Sequence, residues 1–381
     1  PGPPPPPPYP GVGNHTTTPG AYGAAPCPGR RAEPANAAAL DIVETALFCV
    51  CLEDFAPRDE LHACDQLLHG DSANRWFDKS VSFIVFGDGQ AGINIEHCGL
   101  DGTTILSFVD AMLETSAQEH AARSGARAQG LPAVEPIEFV LDAAQRNDIA
   151  AAGADFARYA ADNATQTVSF ADFGTTRAKQ LGISPDAFAQ LSYQLAHRRS
   201  KGITGATYES IATRQYRNGR TEAMRVITPE MVAFVDAMQD ESVDRDTRLA
   251  AARTAATAHV ARAKQCQAGD APEQHLWELQ WIQRRRGAEL GVTEPIPLYD
   301  SPGWTIMRDD YLSTSSAPSV NIRYFGFGST SPRCIGVAYV LLPDRWNLYL
   351  ATPTAVADQM HAFADHLRTA VADLEALLSP S

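Results

Sequence analysis

The sequence lacks several features that would place it at once in a class of proteins. No apolar run approaches the roughly 18 to 20 residues that cross a bilayer, and no N-terminal stretch combines the basic, apolar and small-residue regions of a signal peptide. Basic residues are outnumbered, because 31 Lys and Arg stand against 45 Asp and Glu and give a formal charge of −14. We therefore expect a cytoplasmic protein that binds neither nucleic acid nor an anionic membrane, although a local basic pocket could still hold a small anion.

Cysteine and histidine are too scattered to define a disulfide or metal site. The seven cysteines are odd in number and include no Cys-x-x-Cys pair, so neither a disulfide framework nor structural zinc is expected. The ten histidines have no convincing ligand partners, and we predict no metal and no tightly bound cofactor. Cys49 and Cys51 lie in an apolar stretch, which is typical of small core residues.

The sequence does contain enough apolar material for a large core, and its prolines are unevenly distributed. Its 381 residues are 44% hydrophobic, which suits one large or two ordinary domains. Twelve of the 26 prolines fall within residues 1–38, which predicts an extended, disordered tail or linker. A polar, Gly-containing connector at 124–130 separates predicted domains over 39–128 and 129–381.

Helical and strand patterns mix along the chain, so the predicted class is α/β or α+β. Asn36 is expected to cap a first helix, and Ser184-Pro185-Asp186 is a strong start for a later one. Further helices fit 105–113, 148–161, 229–238, 245–263, 272–290 and 354–378. Strands are predicted at 81–86, 91–96, 137–141, 167–170, 320–325, 335–342 and 346–351, with hairpin turns at Gly87-Asp88-Gly89 and Pro343-Asp344.

The sharpest local pattern is His97-x-x-x-Asp101-Gly102, at the end of the second predicted strand. Histidine titrates near neutrality, so His97 could take a proton from a hydroxyl or thiol and return it later. Asp101 could hold the loop, and Gly102 allows a tight backbone turn. Taken alone, the pattern more often marks an ordinary surface-loop histidine than a catalytic one.

Three further segments carry polar chemistry, and each also has a simpler interpretation. The hydroxyls of Leu312–Ser316 could stabilise an oxyanion, or they could form a polar loop before a strand. Arg177 and Lys179 precede the Ser184 helix start and could hold a phosphate, or they could be solvated charges. Tyr208, within Ala206–Ser210, could line a polar pocket or pack in the core.

Together and in order, these segments resemble the choline/carnitine acyltransferase family over about residues 38–378. The resemblance is carried by Leu68-His69-Gly70, Asn74-Arg75-Trp76-Phe77-Asp78-Lys79, Asn94-Ile95-Glu96-His97 with Asp101-Gly102, Ser184-Pro185-Asp186-Ala187-Phe188, Ala206-Thr207-Tyr208-Glu209-Ser210, Gly219-Arg220-Thr221, His275-Leu276, Leu312-Ser313-Thr314-Ser315, Phe325-Gly326 and Gly336-Val337-Ala338-Tyr339. Several motifs in compatible order are far more specific than one histidine motif. The histidine motif is also similar to that of the wider CoA-dependent acyltransferase superfamily.

The resemblance implies a two-domain α/β fold with mixed sheets flanked by helices and an active-site tunnel between the domains. It implies direct acyl transfer from a thioester, such as acyl-CoA, to a small alcohol. His97 would be the general base, Ser315 would donate a hydrogen bond to the oxyanion, and Asp101 would support the histidine loop. The substrate-binding residues would be Tyr208, Thr221, Gln274, Ser313 and Phe325. The CoA side would carry Arg177, Lys179 and Asp186.

The sequence departs from the family pattern at four places. Gln274 stands where the carnitine enzymes place an arginine for the carnitine carboxylate, and glutamine cannot form that bidentate pair. Thr221 is carnitine-like, so choline is not clearly indicated either. Thr175 replaces one of two lysines on the CoA side, where Arg177 could compensate, and the segment after Phe325-Gly326 lacks the family's Pro-Val-Val-Pro run. The N-terminal part of the family has no counterpart, which suggests a longer parent chain, a partner that supplies it, or a reduced enzyme.

Three functions are compatible with these observations. The first is an O-acyltransferase that uses acyl-CoA. The second is an acyl-offloading domain of a polyketide-type assembly line, which would take its acyl group from a carrier protein. The third is a non-catalytic binding or scaffolding module that keeps the fold.

Overall fold

The computed structural model describes residues 11–17, 31–124 and 133–380, and the chain divides into two compact units between Asp162 and Asn163. The domain boundary expected near residue 128 lies outside the described residues, and the division between the compact units comes later in the chain. In the described part of the chain, no helix is both long and apolar enough to cross a membrane.

The first unit is built around a three-stranded mixed sheet. Its strand order is β1-β2-β3, with β1 parallel to β2 and β2 antiparallel to β3. The predicted hairpin is confirmed, and Gly89 takes a positive φ of 85° in its turn. The elements are a 3₁₀ helix Val12–Thr17, α1 Pro34–Thr45, β1 Cys49–Leu52, α2 Glu60–Leu68, a 3₁₀ helix Ser72–Asn74, β2 Val81–Val85, β3 Ala91–Ile95, α3 Gly102–Leu113, α4 Ala117–Ser124 and α5 Ala143–Ala161.

Part of the proline-rich segment differs from the expected disordered tail, since Val12–Thr17 is helical and packed. Val12 is buried against Leu141 and Ile149. The Phe77 backbone N–H also donates to Thr16 Oγ1 at 2.9 Å. The buried valine, this bond, and longer hydrogen bonds from Asn14 Nδ2 to Ile149 O and from Thr17 Oγ1 to Ala152 O therefore hold a short piece of this segment on the unit.

The expected cap at Asn36 is wrong, because α1 begins at Pro34 and is capped by Glu33. Asn36 is instead fully buried inside the helix. Its Nδ2 donates to Val140 O, and its Oδ1 accepts from Val140 N, both at 2.7 Å. The amide thus satisfies both backbone groups of Val140, and residues 137–141, which were expected to form a strand, are irregular.

The second unit contains a six-stranded mixed sheet with the order β4-β9-β8-β7-β5-β6. The central strands β5, β7 and β8 are parallel, and antiparallel strands flank them. The elements are β4 Asn163–Phe170, α6 Thr175–Gln180, α7 Pro185–Lys201, β5 Thr207–Ala212, β6 Thr221–Arg225, α8 Pro229–Gln239, α9 Arg245–Gln267, α10 Pro272–Leu290, a 3₁₀ helix Pro297–Asp300, α11 Pro302–Met307, β7 Leu312–Ser316, β8 Ile335–Leu341, β9 Trp346–Pro353, a 3₁₀ helix Thr354–Val356 and α12 Ala357–Leu378.

The main core lies between one face of this sheet and the helices α7, α9 and α12. The predicted start of α7 is confirmed, since Ser184 Oγ accepts from the Ala187 backbone N–H and Pro185 occupies the first turn. The middle of α7, from Ala187 to His197, is buried throughout. The predicted α/β class is confirmed. Because α7 fills one face of the sheet, the opposite face is left to carry the polar side chains described below.

Candidate active site

The His97 loop follows β3 directly, and its hydrogen bonds define the state of the imidazole. His97 Nδ1 lies 2.8 Å from the Leu100 carbonyl oxygen. A carbonyl oxygen only accepts, so Nδ1 carries a proton, and in the neutral form of the ring the lone pair is on Nε2. The ring is exposed, with 70% of its side-chain surface accessible. This loop therefore presents a histidine in the tautomer that a general base at Nε2 requires.

Two carboxylates support this loop from either side of the histidine. Asp101 precedes the first turn of α3, and its Oδ1 lies 3.7 Å from His97 Nδ1, with only 12% of the side chain exposed. The Glu96 carboxylate accepts from the Cys98 backbone N–H at 3.0 and 3.1 Å. One carboxylate therefore lies beside the histidine ring, and the other holds the backbone of the loop.

In the second unit, the pairing of β5 with β7 brings hydroxyl groups together on one face. The register places Tyr208 opposite Ser313, and side chains alternate along a strand, so Tyr208, Ser210, Ser313 and Ser315 share a face. The Oγ atoms of Ser210 and Ser315 are 3.2 Å apart. The alternative that Leu312–Ser316 forms a polar loop is wrong, because it is a central strand with Leu312, Ser313 and Thr314 buried. Ser313 and Ser315 face away from the helical core.

Strand β6 extends the same polar face. Its register sets Arg225 opposite Tyr208 and Thr221 opposite Ala212. The Arg225 guanidinium lies 5.9 Å from the Tyr208 ring centroid, and the Tyr208 side chain forms a hydrogen bond with Thr221. Burial raises the pKa of the Tyr208 hydroxyl, and Arg225 offsets part of that effect. Tyr208 is therefore a neutral donor or acceptor at ordinary pH.

Gln274 lies beside a buried ion cluster at the start of α10. The neighbouring Glu273 carboxylate pairs with Arg225, whose Nη2 donates to Oε1 at 2.6 Å, and Arg225 also pairs with Asp310. Arg308 approaches Glu273 Oε1 at 3.5 Å. Arg225 is thus already engaged by two carboxylates and is not available to a ligand carboxylate unless these ion pairs break.

Phe325 lies in an irregular segment, so the strand predicted at 320–325 is wrong. The Arg323 carbonyl accepts from Asn347 Nδ2 at 2.8 Å, a side-chain partner in place of a neighbouring strand. The half-buried Phe325 ring contacts the Phe327 ring at a centroid distance of 5.7 Å. Gly326 passes so close to the Tyr349 ring that an added Cβ would lie 2.7 Å from it.

The residues assigned to the CoA side have separate surroundings. Arg177 Nε donates to Glu375 Oε1 at 2.6 Å, and its Nη2 approaches Ser379 Oγ at 3.4 Å, so α6 is tied to the end of α12. Lys179 is exposed on the same short helix. Asp186 belongs to a different cluster, at the start of α7.

Asp186 accepts hydrogen bonds from two core residues. Tyr339 OH donates to its Oδ1 at 2.6 Å, and His259 Nε2 lies 2.9 Å from its Oδ2. Glu209, 4% exposed, points into the same cluster, where burial and the Asp186 charge raise its carboxyl pKa well above the ordinary value. The ligand atoms of Asp186, Glu209 and His259 lie within 4.8 Å of one another, a set that could bind a divalent cation and that the sequence did not predict.

Sequence reasoning therefore grouped the polar residues only in part. Ser210 lies with the predicted residues Tyr208, Ser313 and Ser315, and Arg225 lies with Tyr208 and Thr221. The sequence analysis selected neither Ser210 nor Arg225 as a site residue. The alternation in Thr207–Ala212 would have found Ser210 once that segment was recognised as a strand. The Glu209 and His259 contacts with Asp186 join residues far apart in the chain and leave no local signal.

Comparison with known proteins places the chain in a family. Residues 29–369 match the family model described as choline/carnitine O-acyltransferase. The chain is 33% identical over 316 residues to the mitochondrial carnitine O-palmitoyltransferase 2 of Rattus norvegicus, covering 81% of this chain and 47% of that protein. It is 31% identical over 354 residues to the carnitine O-acetyltransferase of Rattus norvegicus, covering 90% and 55%. The chain belongs to the choline/carnitine O-acyltransferase family.

Two further findings set the extent of this similarity. The chain spans about half the length of the curated relatives that it matches. A solved structure described as the first condensation domain of the CDA synthetase is 14% identical, with a TM-score of 0.43 over 86% of this chain and 75% of that one. That structural likeness is too weak to carry an argument about function.

Proposed function

We propose that the protein is an O-acyltransferase that moves an acyl group from acyl-CoA to a small alcohol. The observation that carries this proposal is the geometry of the His97 loop, in which Nδ1 donates to the Leu100 carbonyl and lies 3.7 Å from the Asp101 carboxylate. Family membership supports the same chemistry. Acyl-CoA enters as a substrate, and no tightly bound cofactor is proposed.

The proposed reaction is a direct transfer with one proton carried by His97. Nε2 takes the proton of the acceptor hydroxyl while that oxygen bonds to the thioester carbonyl carbon. The tetrahedral oxyanion accepts a hydrogen bond from Ser315 Oγ, which Ser210 orients. The C–S bond then breaks, and the thiolate leaves with the proton that His97 held. Asp101 stabilises the transient imidazolium.

We further propose that the acceptor is an alcohol without a carboxylate. Gln274 offers an amide where a guanidinium would be needed, and Arg225 is held by Glu273 and Asp310. Binding a carboxylate here would require breaking a buried ion pair, which is strongly unfavourable. Tyr208 and Thr221 would contact the acceptor, with Ser313, and Phe325 would supply an apolar wall.

A carrier-protein thioester is a second candidate donor, in an acyl-offloading role. The observation that favours it is the Arg177–Glu375 ion pair. Arg177 was expected to compensate for Thr175 in binding a CoA phosphate, yet its guanidinium is engaged by α12. Lys179 and Asp186 would remain for the CoA side. A carrier-bound pantetheine has no adenosine 3′-phosphate and would not need the second cation.

The test is thiol release from acyl-CoAs of several lengths, with and without a panel of alcohols that includes glycerol, choline and carnitine. His97→Ala is compared with His120→Ala, which removes another exposed histidine of the same unit that contacts Thr115. Alcohol-dependent release that is lost only in His97→Ala supports the proposal. Release from an acyl carrier protein alone favours the second donor. Binding without turnover from either donor would establish a non-catalytic module. The cytoplasmic location stays a prediction, which cell fractionation would test.

A further inference from the structure

A chain of buried hydrogen bonds runs from α7 through the middle of β7 to β5. Gln190 Nε2 donates to Thr314 Oγ1 at 2.9 Å, and Thr314 Oγ1 donates to the Tyr208 carbonyl at 2.8 Å. Gln190 and Thr314 are both fully buried. We infer that Thr314, held by Gln190, is a positioning residue that sets the location of the Ser315 hydroxyl, an inference that rests on the proposed acyl transfer.

The direction of each bond follows from chemistry. A threonine hydroxyl has one proton, and the Tyr208 carbonyl can only accept. Thr314 Oγ1 therefore gives its proton to that carbonyl and can only accept from Gln190. This requirement also fixes the orientation of the Gln190 amide. Each bond in the chain thus has one possible direction, and the two bonds together join α7, β7 and β5.

The position of Thr314 makes that constraint relevant to the site. Side chains alternate along β7, so Thr314 points into the helical core while Ser313 and Ser315 point to the opposite face. Thr314 lies between the two serines in sequence, and it bonds to the carbonyl of Tyr208, whose own side chain is on the serine face. The hydrogen bonds on the core face of the sheet therefore hold β5 and β7 together, and these two strands carry the hydroxyls on the opposite face.

An oxyanion donor is sensitive to such positioning. Donors stabilise the oxyanion when they lie about 2.7–3.1 Å from its position in the transition state, and small displacements lose much of this effect. Substrate binding depends less on one hydroxyl. Loss of the Thr314 bonds is therefore expected to lower kcat more than it changes KM.

Thr352 provides a matched control for this argument. It is also a fully buried threonine of the same sheet, and its Oγ1 donates to the Cys334 carbonyl at 2.9 Å. It lies on β9 opposite Ala164, and among the described residues its hydroxyl bonds to the Cys334 carbonyl, which is not one of the proposed site residues. Thr352→Val removes the same kind of bond from the same core, so it measures the effect of a general loss of stability.

The experiment measures kcat and KM for wild type, Thr314→Val, Thr314→Ser, Gln190→Met and Thr352→Val, with thermal unfolding of each. With a donor and acceptor that wild type uses, Thr314→Val should lower kcat by about 10- to 100-fold with KM within about threefold. Thr314→Ser keeps the hydroxyl and should stay within about threefold of wild type, as should Thr352→Val. Gln190→Met removes only the bond from Gln190 to Thr314, so its kcat should fall between those of Thr314→Val and Thr314→Ser.

The outcomes separate this inference from the proposed function. Absence of alcohol-dependent transfer by wild type would contradict the proposed function itself. Transfer by wild type, with Thr314→Val no slower than Thr352→Val, would overturn the positioning role. If Thr314→Val does not fold, the kcat of Gln190→Met is compared with the kcat of Thr352→Val. Equal kcat values reject the inference.

Discussion

His197 makes the stability of the second unit depend on pH in a calculable way. Its ring is fully buried on α7. Burial, with a smaller contribution from the Lys201 charge, lowers the pKa of His197 from 6.5 to about 4, and a backbone hydrogen bond at Ile203 offsets only part of this change. The change to be tested is acidification. The reference is the His197→Leu variant, which has no titratable side chain at this position.

The sign follows from the two pKa values. The unfolded chain takes up a proton at His197 near pH 6.5, whereas the folded protein resists it until about pH 4. Protonation therefore favours the unfolded state as the pH falls through this window. The His197 contribution is complete above pH 6.5 and is lost progressively below it. The full difference corresponds to about 3 kcal/mol, of which about 2 kcal/mol is expected between pH 7 and pH 5.

The assay is urea unfolding of wild type and His197→Leu at pH 7, 6 and 5. The quantity of interest is the free energy of unfolding of wild type minus that of the variant, because titration of the other groups cancels in this difference. We expect this difference to fall by about 2 kcal/mol from pH 7 to pH 5, because acidification destabilises wild type more than the variant. A difference that does not change with pH would refute the reasoning, whatever its value at pH 7.

Three other changes test the proposed site. His97→Ala should lower kcat/KM for acyl transfer by about 10²- to 10⁴-fold, as thiol release would show, and a smaller loss would argue against a general base. Gln274→Arg should raise kcat/KM for carnitine relative to choline, because it restores a guanidinium for the carboxylate, and an unchanged ratio would place the acceptor elsewhere. Arg225→Met leaves the buried Glu273 and Asp310 without their cation and should lower the free energy of unfolding by about 3–5 kcal/mol. Urea unfolding measures that loss, and a value under about 1 kcal/mol would show that these carboxylates are solvated or protonated instead.

Strong local signals account for the parts of the fold that were predicted from the sequence. The hairpin of β2 and β3 was marked by apolar strands on either side of Gly87-Asp88-Gly89. The start of α7 was marked by a serine cap and a proline, and Pro343-Asp344 marked the turn between β8 and β9. Each signal lies within a few residues, and neighbouring side chains alone decide it.

The strand β7 was missed because its meaning depends on distant residues. Leu-Ser-Thr-Ser-Ser has hydroxyls on both faces, so it shows no alternation of apolar and polar side chains. Thr314 can be buried in the core only because Gln190 and the Tyr208 carbonyl satisfy its hydroxyl. A strand was wrongly predicted at 320–325 for a similar reason. The Asn347 side chain, distant in sequence, bonds to the Arg323 carbonyl in place of a neighbouring strand.

By itself, the sequence determined the chemical groups available: a histidine followed by an Asp-Gly turn, a row of hydroxyls, and a glutamine in place of a basic residue. Those follow from residue identity and short-range spacing. The tertiary structure alone decided which groups meet. The register of β5, β6 and β7 brought Tyr208, Ser210, Ser315 and Arg225 to one face, and core packing gathered Asp186, Glu209 and His259 on the other. Strand pairing and burial act between residues far apart in the chain, so they leave little trace in any local pattern.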